Sequence, residues 1–202
     1  VDRLREWISR EAEVLGPEFL RVDGILNHRI DPAFISLVGE QLAARFSQSS
    51  VTCVLTAEAA GNIVAYELAR RLGTRALYAK KGKASTMVRP IVRTVISPTK
   101  GTKTEFAISA NYLCPQDRII VVDDFLYQGH TSAALADMVI EAGAKLVGFG
   151  FVIEKMFANG RDALQHFEVP IVTLAPIKSM NPEDGTIVFA EDRSIVFPED
   201  CV

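Results

Sequence analysis

Residues 118–131 read RIIVVDDFLYQGHT, and the order of residue types within them decides the fold. The run 118–122 (RIIVV) is apolar and β-branched after its first residue, as a strand buried on both faces requires. It leads straight into two acids, Asp123 and Asp124. Phe125 and Leu126 come next, then Tyr127, Gln128, Gly129, His130 and Thr131. A helix is expected over about 130–142, stopped by Gly143.

Each part of this unit has a chemical use. The strand is rigid and delivers the acids to the sheet edge. Paired carboxylates accept hydrogen bonds from vicinal hydroxyls, such as ribose O2 and O3. Gly129 permits a tight turn or a positive φ. The backbone amides of the turn, the Thr131 hydroxyl and the positive helix end form an anion pocket. Together they describe a ribose 5-phosphate site. Taken singly, the parts have other uses: two acids after a strand can bind Mg²⁺, and a glycine and threonine at a helix start can be plain capping. No GKS or GKT occurs, so this is not a Walker loop, and no GxGxxG dinucleotide loop is present.

Strands and helices alternate on either side of this unit. Leu4, Trp7, Ile8, Glu11 and Val14 stand near helical spacing, and Gly16-Pro17 breaks the pattern. Residues 19–26 (FLRVDGIL) form a short connecting piece. Asp31-Pro32 starts a helix whose apolar stripe is Phe34, Leu37, Val38, Leu42 and Phe46. Strands are expected at 51–55, 75–79, 146–153 and 171–175. A helix carrying Ile63, Val64, Leu68 and Leu72 ends at Gly73, and a short helix is expected near 161–166. The tail 186–197 reads as a hairpin around 191–194. This alternation implies an α/β fold with a doubly wound, mainly parallel sheet, whose ligands bind beyond the carboxyl ends of the strands.

Residues 80–104 break the rhythm. They hold Lys80, Lys81, Lys83, Arg89, Arg93, Lys100 and Lys103 and no acid. The excess of one sign suggests an anionic ligand, and the segment reads as a mobile basic flap with one hairpin, 91–96 against 105–109. A solvated hairpin with surface lysines is the alternative.

Composition narrows the class. A chain of 202 residues that is 49% hydrophobic can bury one substantial core, so a single domain over 1–202 is expected. The net charge is −3 without a basic stripe, which argues against nucleic acid as the partner. Cys53, Cys114 and Cys201 are odd in number, far apart and not clustered with histidine, so neither a disulfide framework nor a zinc site is expected. Reduced thiols, no 18-residue apolar run and a charged N-terminal stretch lead to a cytoplasmic, non-membrane expectation.

Residues 121–131 (VVDDFLYQGHT) resemble the phosphoribosyl diphosphate motif of type I phosphoribosyltransferases. Three more stretches resemble the bacterial xanthine phosphoribosyltransferases, in the same order and at nearly the same spacing. They are LRVDGILNHRIDP at 20–32, TAEAAG at 56–61, and FVIEKMF at 151–157 followed by NGRDAL. The similarity runs over almost the whole chain. The NHxIDP and VIEKxF pieces discriminate, because adenine- and orotate-specific relatives lack them.

The resemblance implies an enzyme that joins a purine to phosphoribosyl diphosphate, releasing diphosphate and a nucleoside monophosphate. It implies a core parallel sheet under a small hood, built from about residues 1–27 and the C-terminal segment, that covers the base. Asp123 and Asp124 would hold the ribose hydroxyls and are the candidate catalytic residues. Tyr127, Gln128, Gly129, His130 and Thr131 would cradle the 5-phosphate. Glu58, Ala59, Ala60 and Gly61 would face the diphosphate, in a loop where relatives have a strained, often cis, non-proline peptide. Lys80 or Lys81 would also contact diphosphate. Leu20, Asn27 and Lys155 would contact the base, with Phe157 as a stacking partner. Lys155 would donate to O6 of an oxo-purine, which disfavours adenine, while Asn27 reads a second edge position. The plainer roles are a surface lysine for Lys155 and core packing for Phe157. Mg²⁺ would arrive on the substrate, and a homodimer is implied.

The match departs in two places. The turn differs from relatives at Tyr127, His130 and Thr131, and the bulky Tyr127 is expected to point outward. The flap, 81–99, matches poorly. Xanthine is the expected base, with guanine or hypoxanthine as alternatives. A different class remains: the non-catalytic effector domain of a purine-responsive repressor, which binds phosphoribosyl diphosphate without turnover. One N-terminal helix is too little for the added DNA-binding domain of such repressors, and the acidic charge also disfavours it.

Overall fold

A computed structural model describes residues 2–96 and 101–191. Helix α1 (Asp2–Glu11) leads into a two-stranded antiparallel ribbon, β1 (Glu13–Val14) and β2 (Leu20–Arg21), and a π-helical turn at Asp23–Asn27. Then come α2 (Pro32–Phe46), β3 (Cys53–Ala57), α3 (Gly61–Leu72) and β4 (Arg75–Lys81). A hairpin, β5 (Pro90–Ile96) and β6 (Lys103–Ser109), precedes β7 (Arg118–Leu126) and α4 (His130–Glu141). The chain continues through β8 (Lys145–Lys155), β9 (Ile171–Met180) and β10 (Ile187–Phe189).

Eight strands form one sheet in the order β10-β9-β8-β7-β3-β4-β6-β5. The five central strands, β9 through β4, are parallel, and antiparallel strands close both edges. The pleat sorts β7 between two cores. Ile120 and Val122 enter the cluster under α2 and α3, while Ile119 and Val121 enter the one that includes Leu135 and Met138 of α4. All four are fully buried, which is why this strand reads as an unbroken apolar run.

The helix signals act as expected. Asp31 Oδ1 accepts from the amides of Ala33 (2.9 Å) and Phe34 (3.1 Å), with Pro32 in the first turn. Gly73 closes α3 in the left-handed region at φ 66°.

Several local expectations change. Val14 is not on the first helix but in the ribbon, where it is paired with Leu20. Residues 19–26 are not a plain connector, because Val22, Ile25 and Leu26 are buried in the same cluster as α2. β7 and β8 run further than expected because they pair with each other as far as Leu126↔Glu154, so the acid pair lies within the strand. Residues 161–164 form turns, with a 3₁₀ turn at Gln165–Phe167. In the tail, Ile187–Phe189 pairs with β9, and the expected return strand lies outside the described residues.

Helix α1 and strand β10 meet at β9. Arg5 Nε donates to the Leu174 carbonyl at 3.4 Å, and its guanidinium lies 5.8 Å from the Phe189 ring centroid. The basic hairpin is rooted in the body: Ile91, Phe106 and Ile108 are core residues, and Arg93 pairs with Glu141 of α4 at 2.6 Å.

Candidate active site

The carboxyl ends of β3, β4 and β7 open into one cleft of about 460 Å³. Glu58, Ala59, Ala60, Lys81, Asp123, Asp124 and the whole turn 127–131 line it. Strand alternation separates the two lysines. Lys81 faces this cleft, whereas Lys80 lines a different cavity of about 270 Å³ beside Tyr78 and Tyr112.

The acid pair is arranged asymmetrically. Asp124 is buried; its Oδ1 accepts from the Phe125 amide (2.9 Å) and its Oδ2 from Asn27 Nδ2 (3.0 Å). Asp123 Oδ1 accepts from the Asp124 amide, at 3.0 Å. Loss of solvent, and then the neighbouring Asp124 charge, push the Asp123 carboxyl well above the usual carboxylate range. A carboxyl shifted that way holds its proton more readily than an ordinary one and can then donate to a hydroxyl as well as accept from it.

Gly61 begins α3 against this pair. A Cβ there would stand 2.8 Å from Asp123 Oδ1 and would also overlap Thr56 Oγ1, so only glycine fits. Immediately before it, the Glu58–Ala59 peptide is cis. The loop is pinned to β4: Glu58 Oε1 accepts from the Lys81 amide at 2.5 Å, and the Glu58 amide donates to the Ala79 carbonyl at 3.1 Å.

The turn presents an open helix end. Gly129, at φ 75°, caps α4 without any side-chain acceptor, leaving the first-turn amides to an incoming anion. A Cβ on Gly129 would stand 2.5 Å from the Gly160 carbonyl oxygen. A Cβ on Gly160 would in turn strike the Tyr127 carbonyl and Leu126. The two glycines therefore let the loop after β8 back the turn closely.

That loop is held by a buried ion pair that the sequence reading did not use. Arg161 donates to Glu154 Oε1 through Nε (2.7 Å) and to Oε2 through Nη2 (2.9 Å). It also reaches the Ile171 carbonyl and Thr173 Oγ1, both at 3.2 Å, and Thr173 Oγ1 donates to Glu154 at 2.8 Å. A signal was available: an acid inside an apolar strand run must find a partner, and NGRD supplies the first following arginine.

The base candidates are less tightly gathered. Asn27 lines a depression of about 270 Å³ that also includes Ala59 and Ala60, next to the main cleft. Lys155 ends β8 and lies 5.2 Å from the Phe125 ring centroid and 5.3 Å from that of Tyr127. Leu20 and Phe157 are partly buried and pack against the core. Phe125 received no role from the sequence, yet it is the aromatic ring beside the acid pair in the cleft. Tyr127 turns toward the N-terminal segment, where its hydroxyl donates to Glu18 Oε2 at 2.8 Å. Among the described residues, no group of three or more His, Cys, Asp or Glu stands close enough to hold a metal ion, and no helix is long and apolar enough to cross a membrane.

Residues 29–173 match the phosphoribosyl transferase domain model. The xanthine phosphoribosyltransferase of Heliobacterium modesticaldum is 42% identical over 190 residues, covering 94% of this chain and 100% of its own. That of Streptococcus agalactiae is 38% identical, covering 93% and 97%. The fold is also that of the adenine phosphoribosyltransferase from Rhodothermus marinus, with a TM-score of 0.73 at 22% identity over 87% of this chain and 99% of that one. The matched stretch contains both the acid pair and the glycine turn, and on these grounds the chain belongs to the phosphoribosyltransferase family and has its type I fold.

Proposed function

We propose that this protein transfers the ribose 5-phosphate group of phosphoribosyl diphosphate to xanthine, giving the nucleoside monophosphate and diphosphate in purine salvage. One observation carries the reading. A single cleft unites an acid pair, an open helix N-terminus and the loop residues 58–60, as a ribose bearing phosphate at one end and diphosphate at the other requires. The names of the relatives supply the base.

In this reading the backbone amides of the turn 127–131 and the Thr131 hydroxyl bind the 5-phosphate, and Asp123 and Asp124 bind the two ribose hydroxyls. Asn27 bonds to Asp124 and lies beside Ala59, so it can link the ribose and base positions. The amides of 58–61 and Lys81 face the diphosphate. Mg²⁺ enters with that diphosphate and offsets the leaving-group charge. The C1–diphosphate bond loosens, the ribose gains oxocarbenium character, and the purine nitrogen attacks from the opposite face. Fixed amides and Lys81 stabilise charge on the departing group without reorganising. Lys155 donates to O6 and penalises adenine. Residues 1–27 with the C-terminal segment form the hood, and 80–104 the flap, of one domain. The enzyme acts as a cytoplasmic homodimer in the same reading.

Turnover with phosphoribosyl diphosphate and Mg²⁺ against xanthine, guanine, hypoxanthine and adenine tests this. The highest kcat/KM should be for xanthine and the lowest for adenine. No nucleotide from any base would overturn the enzyme reading; a preference for adenine would overturn the roles of Lys155 and Asn27.

A further inference from the structure

Tyr127 opens the phosphate turn, and its hydroxyl donates away from that turn, to Glu18 Oε2. The pairing Phe125↔Ile153 and Leu126↔Glu154 brings Tyr127, one step on, alongside Lys155. Phe125 and Tyr127 are two apart on an extended chain and so share a face. The Lys155 ammonium lies against both rings, 5.2 and 5.3 Å from their centroids. The Glu18 carbonyl is a third contact, accepting from Lys155 Nζ at 2.6 Å. Glu18 is itself held, because its Oε2 accepts the Tyr127 hydroxyl at 2.8 Å.

We infer that Tyr127, acting with Glu18, is a positioning residue for the base: it fixes the Lys155 ammonium between two rings and ties the N-terminal segment to the phosphate turn. This rests on the proposal that Lys155 reads the base. A lysine has four flexible torsions, and fixing them on binding costs affinity. Here three contacts hold the ammonium before the base arrives. The carbonyl takes one of its three hydrogens, and the others remain free for an acceptor such as a purine oxygen. Burial pushes the Lys155 ammonium below its usual range, and the Glu18 and Asp124 charges oppose that push. The same arrangement puts the two substrate contacts on one short stretch of chain. The turn that binds phosphate also carries the residue that aims the base contact.

The test uses the full-length enzyme and the variants Tyr127→Phe, Glu18→Ala and the double variant, with Lys155→Met as the reference. Tyr127→Phe removes one hydroxyl and keeps the ring, so the fold should survive; thermal melting checks this. Each single variant should raise KM for xanthine about tenfold, equal to about 1.4 kcal/mol, with KM for phosphoribosyl diphosphate within about twofold of the parent. The double variant should be no worse than either single one, since both break the same bond. A second readout needs no turnover. Trace acetylation of substrate-free enzyme, followed by peptide mass spectrometry, should label Lys155 several-fold faster in Tyr127→Ala. Unchanged labelling would overturn the inference, as would a shift in KM for phosphoribosyl diphosphate instead of xanthine. If Lys155→Met raises KM for xanthine and Tyr127→Phe does not, the positioning role alone fails. If neither variant does, the base-reading role of Lys155 fails and takes this inference with it.

Discussion

Asp117 immediately precedes β7 and Asp123 lies in its carboxyl-terminal half, and the two carboxyls sit in opposite environments. Asp117 is buried at the amino end of the sheet and fully provided for. Its Oδ1 accepts from Thr52 Oγ1 (2.7 Å) and Arg75 (3.2 Å), and its Oδ2 from the Cys114 amide (2.8 Å). Asp123 stands beside another acid with one backbone amide as its donor. Burial alone would raise the Asp117 pKa, but the Thr52 and Cys114 bonds and the Arg75 charge outweigh it and hold it below the usual range. For Asp123 burial and the Asp124 charge outweigh the one backbone amide and push it up. One end of the strand spends its acid on closing the fold, and the other leaves its acids short of partners at a cleft. That shortage is what a ligand's hydroxyls can relieve.

The comparison breaks if the cleft acids do not bind substrate. Asp123→Asn with Asp124→Asn should weaken phosphoribosyl diphosphate binding by about 10²- to 10⁴-fold, since each charge-assisted hydrogen bond is worth roughly 1.5–3 kcal/mol. Titration calorimetry with the intact fold confirmed by circular dichroism checks this. Unchanged affinity would remove the ribose role.

The buried ion pair behind the turn sharpens the contrast, because it belongs to the same sheet end as the cleft yet resembles Asp117 in being satisfied. Arg161→Met leaves Glu154 buried without its cation and should destabilise the fold by about 3–5 kcal/mol. Glu154→Met with Arg161→Met should recover much of that loss, because no unpaired charge remains. Denaturant unfolding of the two variants tells them apart. If the double variant were as unstable as the single one, the pair would matter through its geometry rather than its charge.

Much of this was legible in the sequence. The buried run 119–122, the acid pair, Gly129 and the Asp31-Pro32 start each have a local physical cause, and each stands where its pattern indicated. The cleft that joins 57–60 to the acid pair and the turn 127–131 follows from parallel strand order, which strand–helix alternation implies. What was hidden depends on pairing across distance. Lys80 and Lys81 are equivalent in sequence, and only strand alternation beside β6 sends one to the cleft. Tyr127 was expected to point outward, but its partner, Glu18, is far away in the chain and lies in a segment with no periodic signal. Arg161 was expected to open a short helix near 161–166; it stands instead in a turn whose conformation lets it reach Glu154.

The smallest effect is the most direct measure of the contrast along β7. Asp123 favours its protonated form in the fold, so its contribution to stability is fully present below the ordinary carboxylate pKa and is lost as pH rises through its own raised value. Asp117 behaves inversely: its contribution is present above the ordinary pKa and is lost as pH falls through its depressed value. Asp123→Asn cannot ionise. In the absence of substrate it should therefore match the parent near pH 3.5–4 and become more stable than it as pH rises, by about 0.5–2 kcal/mol near neutrality. Asp117→Asn should do the opposite, losing about 1–3 kcal/mol at neutral pH and approaching the parent in acid. Melting curves of both variants across pH 3.5–8 supply the comparison. Parallel profiles for the two would mean that the ends of β7 do not differ in the way the hydrogen bonds indicate. Adding phosphoribosyl diphosphate should reverse the order for Asp123 alone, since binding stabilises only the protein that can hold the ribose.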